Sequence, residues 1–220
     1  MVNAQNTDWL QRWQQNRIGF HRSHFHEQLL AHWPELAVSP GSRVFVPLCG
    51  KSLDLLWLVN QGFEVTGVEL SPIAVEGFFR EHGLTPEITS HGAFQRYQSD
   101  AIEIFCGDFF QLRSEDLIGT AAVYDRASLI ALPPAQRLAY ARHLRTLLPE
   151  RPDILLITLD FPAENRQGPP YPVSMDEVQQ LYEGAWKIQH ISQTDLHDGQ
   201  HASGPERFEE DVYILRAAQL

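Results

Sequence analysis

The chain has 220 residues. One domain of that size buries roughly 70–75% of the surface its unfolded chain exposes, so no disulfide or metal is needed to hold a core. Its 28 acidic against 17 basic residues give a net charge of −11 with no lysine or arginine stripe, which argues against a nucleic-acid or anionic-membrane partner.

The opening stretch, MVNAQNTDWLQRWQQ, has neither a basic n-region nor an apolar h-region, so no secretory signal is expected. No stretch approaches the length of a membrane span. Cys49 and Cys106 are the only cysteines and lack CxxC spacing, which suits a reduced cytoplasm. Residues 8–16 and 21–33 read as two helices broken by Gly19, with Asp8 as a cap for the first and Ser23 or a neighbour opening the second.

The rhythm then changes. Arg43 to Pro47 (RVFVP) is a short apolar strand entered through the Pro40-Gly41 turn. Lys51 to Asn60 places Leu53, Leu56, Trp57 and Val59 at helical spacing, and Gly62 ends the helix. Glu64 to Leu70 is a second strand. Ser71-Pro72 supplies the N-cap and first-turn chemistry of a helix that runs to His82-Gly83. Residues 93–98 and 101–106 read as strands joined at Ser99-Asp100, and 121–125 as another. Pro134 to Leu148 is a helix, 153–160 (DILLITLD) an apolar strand, and Met175 to Tyr182 a helix capped by Ser174. Residues 186–194 and 211–216 close the chain as an antiparallel edge hairpin. Strands alternating with helices, and strands that are apolar throughout, imply one doubly wound α/β domain with a mainly parallel sheet covered on both faces.

Ligands of such sheets bind beyond the carboxyl ends of the strands. Here those ends carry Cys49-Gly50, Glu69, Gly107-Asp108, Asp125-Arg126 and Asp160. Each acid taken singly is equally well explained as a helix cap; as a set they imply a shared ligand rim. Glu69 stands about twenty residues beyond Gly50, after a strand–loop–helix unit, where a carboxylate accepts from both hydroxyls of a ribose. The alternative for it is a solvated cap. Gly50-Lys51-Ser52 resembles the end of a phosphate-binding loop, but Phe45 stands where that loop needs its first glycine. A dinucleotide fingerprint needs two further glycines. A nucleoside with a cationic, phosphate-free tail fits better, and S-adenosylmethionine is such a molecule.

The segments VFVPLCGKSLDLLWL, GVELS, EGFF, YDRASLIAL and GPPYPV, with the N-terminal tryptophans and GFH, resemble the thiopurine S-methyltransferase family over nearly the whole chain, most clearly from residue 9 to 173. The chain is similar to bacterial members. The resemblance implies a class I S-adenosylmethionine methyltransferase fold, Rossmann-like, with a seven-stranded mainly parallel sheet and an antiparallel edge hairpin. One domain would span 1–220, with 1–33 as an N-terminal helical lid. The resemblance places Trp13, Leu48, Glu69 and Arg126 at the cofactor beside Gly50, with Asp108 and Phe109 at the adenine and Phe20 at the acceptor. It implies methyl transfer to the sulfur of thiopurines or aromatic thiols, yielding S-adenosylhomocysteine. Methylation of selenium or tellurium compounds, another small acceptor, and a non-catalytic nucleoside-binding protein are the alternatives.

Transfer from a sulfonium is an in-line displacement, and a thiol of low pKa is already largely thiolate near neutral pH, so no general base is required. Arg126 and Arg207 are candidates to stabilise an anionic acceptor; a solvated charge is the alternative for Arg207. Trp9 reads as packing. His21, His24, His26 and His32 cluster early but lack metal-ligand spacing, so no metal is expected. His197 and His201 read as loop residues and Cys49 as small packing. The expected species is a monomer with a small thiol or chalcogen substrate.

Overall fold

The structure is a computed structural model that describes residues 4–19, 21–162, 168–196 and 208–218. The chain forms two compact units, one of residues 1–31 with 38–120 and one of 32–37 with 121–220.

In the first unit, β1 (Arg43–Val46), β2 (Glu64–Glu69) and β5 (Ile102–Cys106) are parallel neighbours in the order β5-β2-β1. Their apolar runs are what a strand covered on both faces requires: Val44, Phe45, Val65, Val68 and Ile104 are buried. Each such side chain contributes about 1.5–3 kcal/mol relative to exposure. α3 (Asp54–Asn60) and α4 (Pro72–Glu81) are the crossover helices. As expected, Ser71 caps α4, its Oγ accepting the Ala74 N–H at 3.4 Å. An antiparallel pair, β3 (Glu87–His91) and β4 (Phe94–Ser99), extends the sheet beyond β5. Strands β4 and β5 match the expected ones closely. β3 was not expected, because its residues are exposed and carry no alternation that a sequence would show.

The N-terminal helices differ from expectation. α1 runs Ala4–Gln14, so Asp8 lies inside it and pairs with Arg12 one turn on (2.8 Å) rather than capping it. α2 covers only Glu27–His32; Pro34 then turns the chain into a short 3-10 segment, Trp33–Leu36, that belongs to the second unit.

In the second unit, β6 (Thr120–Arg126) and β7 (Asp153–Asp160) are parallel, and β9 (Glu209–Ala217) pairs antiparallel with both β7 and β8 (Trp186–Asp195). The closing hairpin is therefore as expected, with an irregularity at His190/Ser192. α6 (Pro134–Leu147) and α7 (Met175–Tyr182) are the expected helices, the latter capped by Ser174, and a single-turn α5 (Ser128–Ala131) was not foreseen. The nine strands among the described residues are the eight read from the sequence and β3, two more than the seven that the resemblance implies. No helix among the described residues is long and apolar enough to cross a membrane.

Candidate active site

In the first unit the polar strand ends converge. Beyond Val46 the chain turns through Pro47, Leu48, Cys49 and Gly50, with Leu48 (φ 45°) and Gly50 (φ 56°) left-handed. Glycine takes that conformation freely, whereas for leucine it costs about 1–2 kcal/mol, so the rest of the turn must hold it. Two hydrogen bonds do so. The Cys49 N–H donates to the Val68 carbonyl (3.0 Å), and the Gly50 N–H donates to Glu69 Oε2 (2.9 Å). The turn also needs Gly67, because a Cβ there would stand 2.8 Å from Cys49 Sγ. Burial, followed by the charge of Glu69, pushes the Cys49 thiol well above its ordinary pKa. It is a packed neutral thiol, not a nucleophile.

Glu69 ends β2 with only 8% of its surface exposed. Its other oxygen, Oε1, accepts the Ser71 N–H at 2.8 Å. Burial raises its carboxyl above the ordinary range, while the amides of Ser71, Gly50 and Leu70 pull it back. The two backbone hydrogen bonds fix its rotamer and fill two of about four acceptor positions, so both oxygens keep capacity for a diol. Lys51, the residue that would reach a phosphate in a phosphate-binding loop, instead donates to both carboxylate oxygens of Glu81 at the end of α4 (2.7 and 2.9 Å).

The loop after β5 lies alongside, its Gly107 N–H donating to the Glu69 carbonyl at 2.9 Å. Phe94 covers Gly107 so closely that a Cβ there would meet the ring at 2.5 Å. Asp108 caps the short turn Phe109–Gln111 by accepting the Phe110 N–H (3.0 Å), and Phe109 is buried behind it.

Helix α1 spans these loops. At one end Asn6 Nδ2 donates to Asp108 Oδ2 at 2.9 Å. At the other the Trp13 ring, 7% exposed, lies 3.4 Å from the position of a Cβ on Gly50. The geometry is self-consistent. Strands β1 and β5 flank β2, so their ends stand about 9.5 Å apart, and seven helical residues rise about 10.5 Å. Trp13, Gly50, Glu69, Asp108 and Phe109 are thereby gathered in one unit, with Leu48 shaping the turn. Asn6 was missed, since an asparagine in the first turn of a surface helix carries no signal of a distant partner.

In the second unit, Arg126 is the last residue of β6. Its neighbour Asp125 does not join a rim. Its carboxylate is fully buried, accepts the Tyr140 hydroxyl at 2.7 Å and lies against Ser128. Burial pushes its carboxyl up to about 6 against those hydrogen bonds. The shared rim expected of all the strand-end acids therefore excludes Asp125, because alternation along β6 turns it towards α6. Phe20 and Arg207 lie outside the described residues, as do His197 and His201. Among the described residues no group of three or more histidine, cysteine or acidic side chains is placed to hold a metal ion.

The fold is shared with solved methyltransferases. An S-adenosylmethionine-dependent methyltransferase from Anabaena variabilis superposes with a TM-score of 0.63 at 16% identity, covering 99% of this chain and 96% of that one. Magnesium protoporphyrin IX methyltransferase from Synechocystis, solved with S-adenosylhomocysteine bound, gives 0.57 at 14% identity over 99% and 89%. In sequence, a thiopurine S-methyltransferase of Pseudomonas fluorescens (strain Pf0-1) is 46% identical over 211 residues, 94% of this chain and 97% of the relative. One from Nitrosospira multiformis is 46% identical over 210 residues, 94% and 96%. The family model for thiopurine S-methyltransferase matches residues 4–218. This is an S-adenosylmethionine-dependent methyltransferase with the class I Rossmann-like fold. Within that class the chain belongs to the thiopurine S-methyltransferase family.

Proposed function

We propose that this enzyme methylates the sulfur of a thiopurine or aromatic thiol, acting as a cytoplasmic monomer on a small-molecule substrate. The observation that carries the cofactor half of this reading is the Glu69 carboxylate, pinned by Gly50 and Ser71 with acceptor capacity still on both oxygens. Glu69 would take the ribose hydroxyls, Leu48 and Gly50 would line the tail, and Asp108 and Phe109 would flank the adenine. The Trp13 ring packs over Gly50, 3.4 Å from where a Cβ would stand. These features suit S-adenosylmethionine, which supplies an activated methyl group on a sulfonium with a neutral thioether as leaving group. By the family resemblance Arg126 would stand at the cofactor and Phe20 would touch the acceptor; Arg126 and Arg207 are also candidates to stabilise the acceptor's anion, a solvated charge being the alternative for Arg207.

The chain's task is alignment and exclusion of water. The acceptor thiol gives its proton to solvent, its sulfur bonds the methyl carbon, and the old carbon–sulfur bond breaks towards the sulfonium sulfur. No side chain has to remove a proton during transfer, in keeping with the neutral state of Cys49.

Purified protein given S-adenosylmethionine and thiophenol or a thiopurine is expected to form S-adenosylhomocysteine at a rate that saturates in both substrates. Turnover only with a selenium or tellurium compound, or another small acceptor, would replace the substrate assignment; cofactor binding with no turnover on any acceptor would make this a nucleoside-binding protein.

In the same reading, residues 1–33 act as a lid over the cofactor. The ties from Asn6 to Asp108 and from Trp13 to Gly50 support this role for α1. Amide hydrogen exchange in residues 4–14 is expected to slow when S-adenosylhomocysteine binds, and exchange that ignores the ligand would reduce α1 to ordinary packing.

A further inference from the structure

Asp125 is an anomaly in the second unit. It is a fully buried carboxylate that accepts the Tyr140 hydroxyl, in a strand whose Val123 and Tyr124 are also buried. A buried carboxylate is weak support for stability, since an apolar side chain of similar volume generally does as well. Its neighbourhood gives it another use. Alternation along β6 sends Asp125 to the α6 side and Arg126 to the opposite face. The next residue, Ala127, is left-handed (φ 73°, ψ −4°), a conformation that a non-glycine residue keeps only when its surroundings impose it. Then comes α5, a single turn, too short to be stable alone.

This strained turn is clamped at both ends. At its start Asp125 accepts the Tyr140 hydroxyl and lies against the fully buried Ser128. At its end the fully buried Arg137 donates from Nε to the carbonyls of Leu129 and Leu132 (3.0 Å each) and pairs with Glu177 at 2.5 Å. Tyr171 N–H adds a bond to the Ile130 carbonyl at 2.7 Å. We infer that Asp125 is a positioning residue: through Ser128 and Tyr140 it locks the Arg126–Ala127 turn and so sets where the Arg126 guanidinium is presented. The inference rests on the proposed role of Arg126 at the ligand.

A double-mutant cycle tests it, using D125N, R126A and D125N/R126A in the full chain. Methyl transfer to thiophenol is measured as kcat/KM, and S-adenosylhomocysteine affinity by calorimetry, which needs no acceptor. If Asp125 acts through Arg126, D125N lowers one of these readouts by about tenfold beside Arg126 and by less than about twofold in the R126A background. Y140F keeps the ring and removes one hydrogen bond, and is expected to show the same non-additivity with a smaller loss, about threefold; it keeps the test open should D125N fold poorly. Equal losses in both backgrounds, in folded protein, would make Asp125 a staple of the core and overturn the inference while leaving the role of Arg126 intact. If R126A changes neither readout, the reading of Arg126 has itself failed and the inference falls with it.

Discussion

Glu69 and Asp125 are two answers to one local pattern. Each is an acid at or next to the end of a parallel strand, each is buried, and in each burial raises the carboxyl above its ordinary pKa. Their partners differ. Glu69 is held by backbone amides of the two loops beside it and keeps lone pairs at the strand ends. Asp125 is turned to core hydroxyls, those of Tyr140 and Ser128, inside the second unit. The comparison teaches that burial at a strand end does not by itself make a shared rim: one carboxylate is turned to the neighbouring strand-end loops and the other to core hydroxyls.

The largest expected effect falls on Glu69. If Glu69 holds the ribose as proposed, Glu69→Ala removes a charge-assisted partner and should weaken S-adenosylmethionine binding at least tenfold by calorimetry, a loss of roughly 1.5–3 kcal/mol. Unchanged affinity in a folded variant would place the ribose elsewhere and erase the contrast with Asp125.

A smaller effect, on stability, belongs to Asp125. Replacing it by alanine removes the buried carboxylate that accepts the Tyr140 hydroxyl, so thermal unfolding should show a loss of about 1–3 kcal/mol. Its pH dependence has a definite sign. The folded carboxyl is raised to about 6, whereas an unfolded aspartate titrates near 3.9. The stability that this group contributes is thus fully present below about pH 4 and is lost as pH rises through about 6. Relative to D125N, the wild-type urea midpoint should fall between pH 4.5 and pH 7 (roughly the window the raised pKa opens). A difference that stays flat, or rises, would show that burial does not dominate at Asp125.

How much could be read beforehand follows the same physics. The β1, β2 and β7 segments were legible because strands covered on both faces must be apolar throughout. Ser71 and Ser174 were legible as caps because the hydroxyl that satisfies a helix N-terminus acts within three residues. The place of Glu69 at the end of β2 beside Gly50 was legible through its spacing. Asp8 misled, because a cap and an intrahelical ion pair look alike until the helix start is known. Strand β3 exists by pairing with β4, and its own residues do not announce it.

The amino-acid order alone thus determined the alternation of strands and helices, the polar residues at the strand ends and the family pattern, because periodicity, capping and loop spacing act over a few residues. Only the tertiary structure decided that Trp13 covers Gly50, that Asn6 reaches Asp108 and that Asp125 turns inward to Tyr140. Those contacts join residues 37, 102 and 15 positions apart. Which side chain meets which across such separations depends on the register and pleat of strands already assembled, and a buried group takes whichever partner that assembly brings within hydrogen-bond reach.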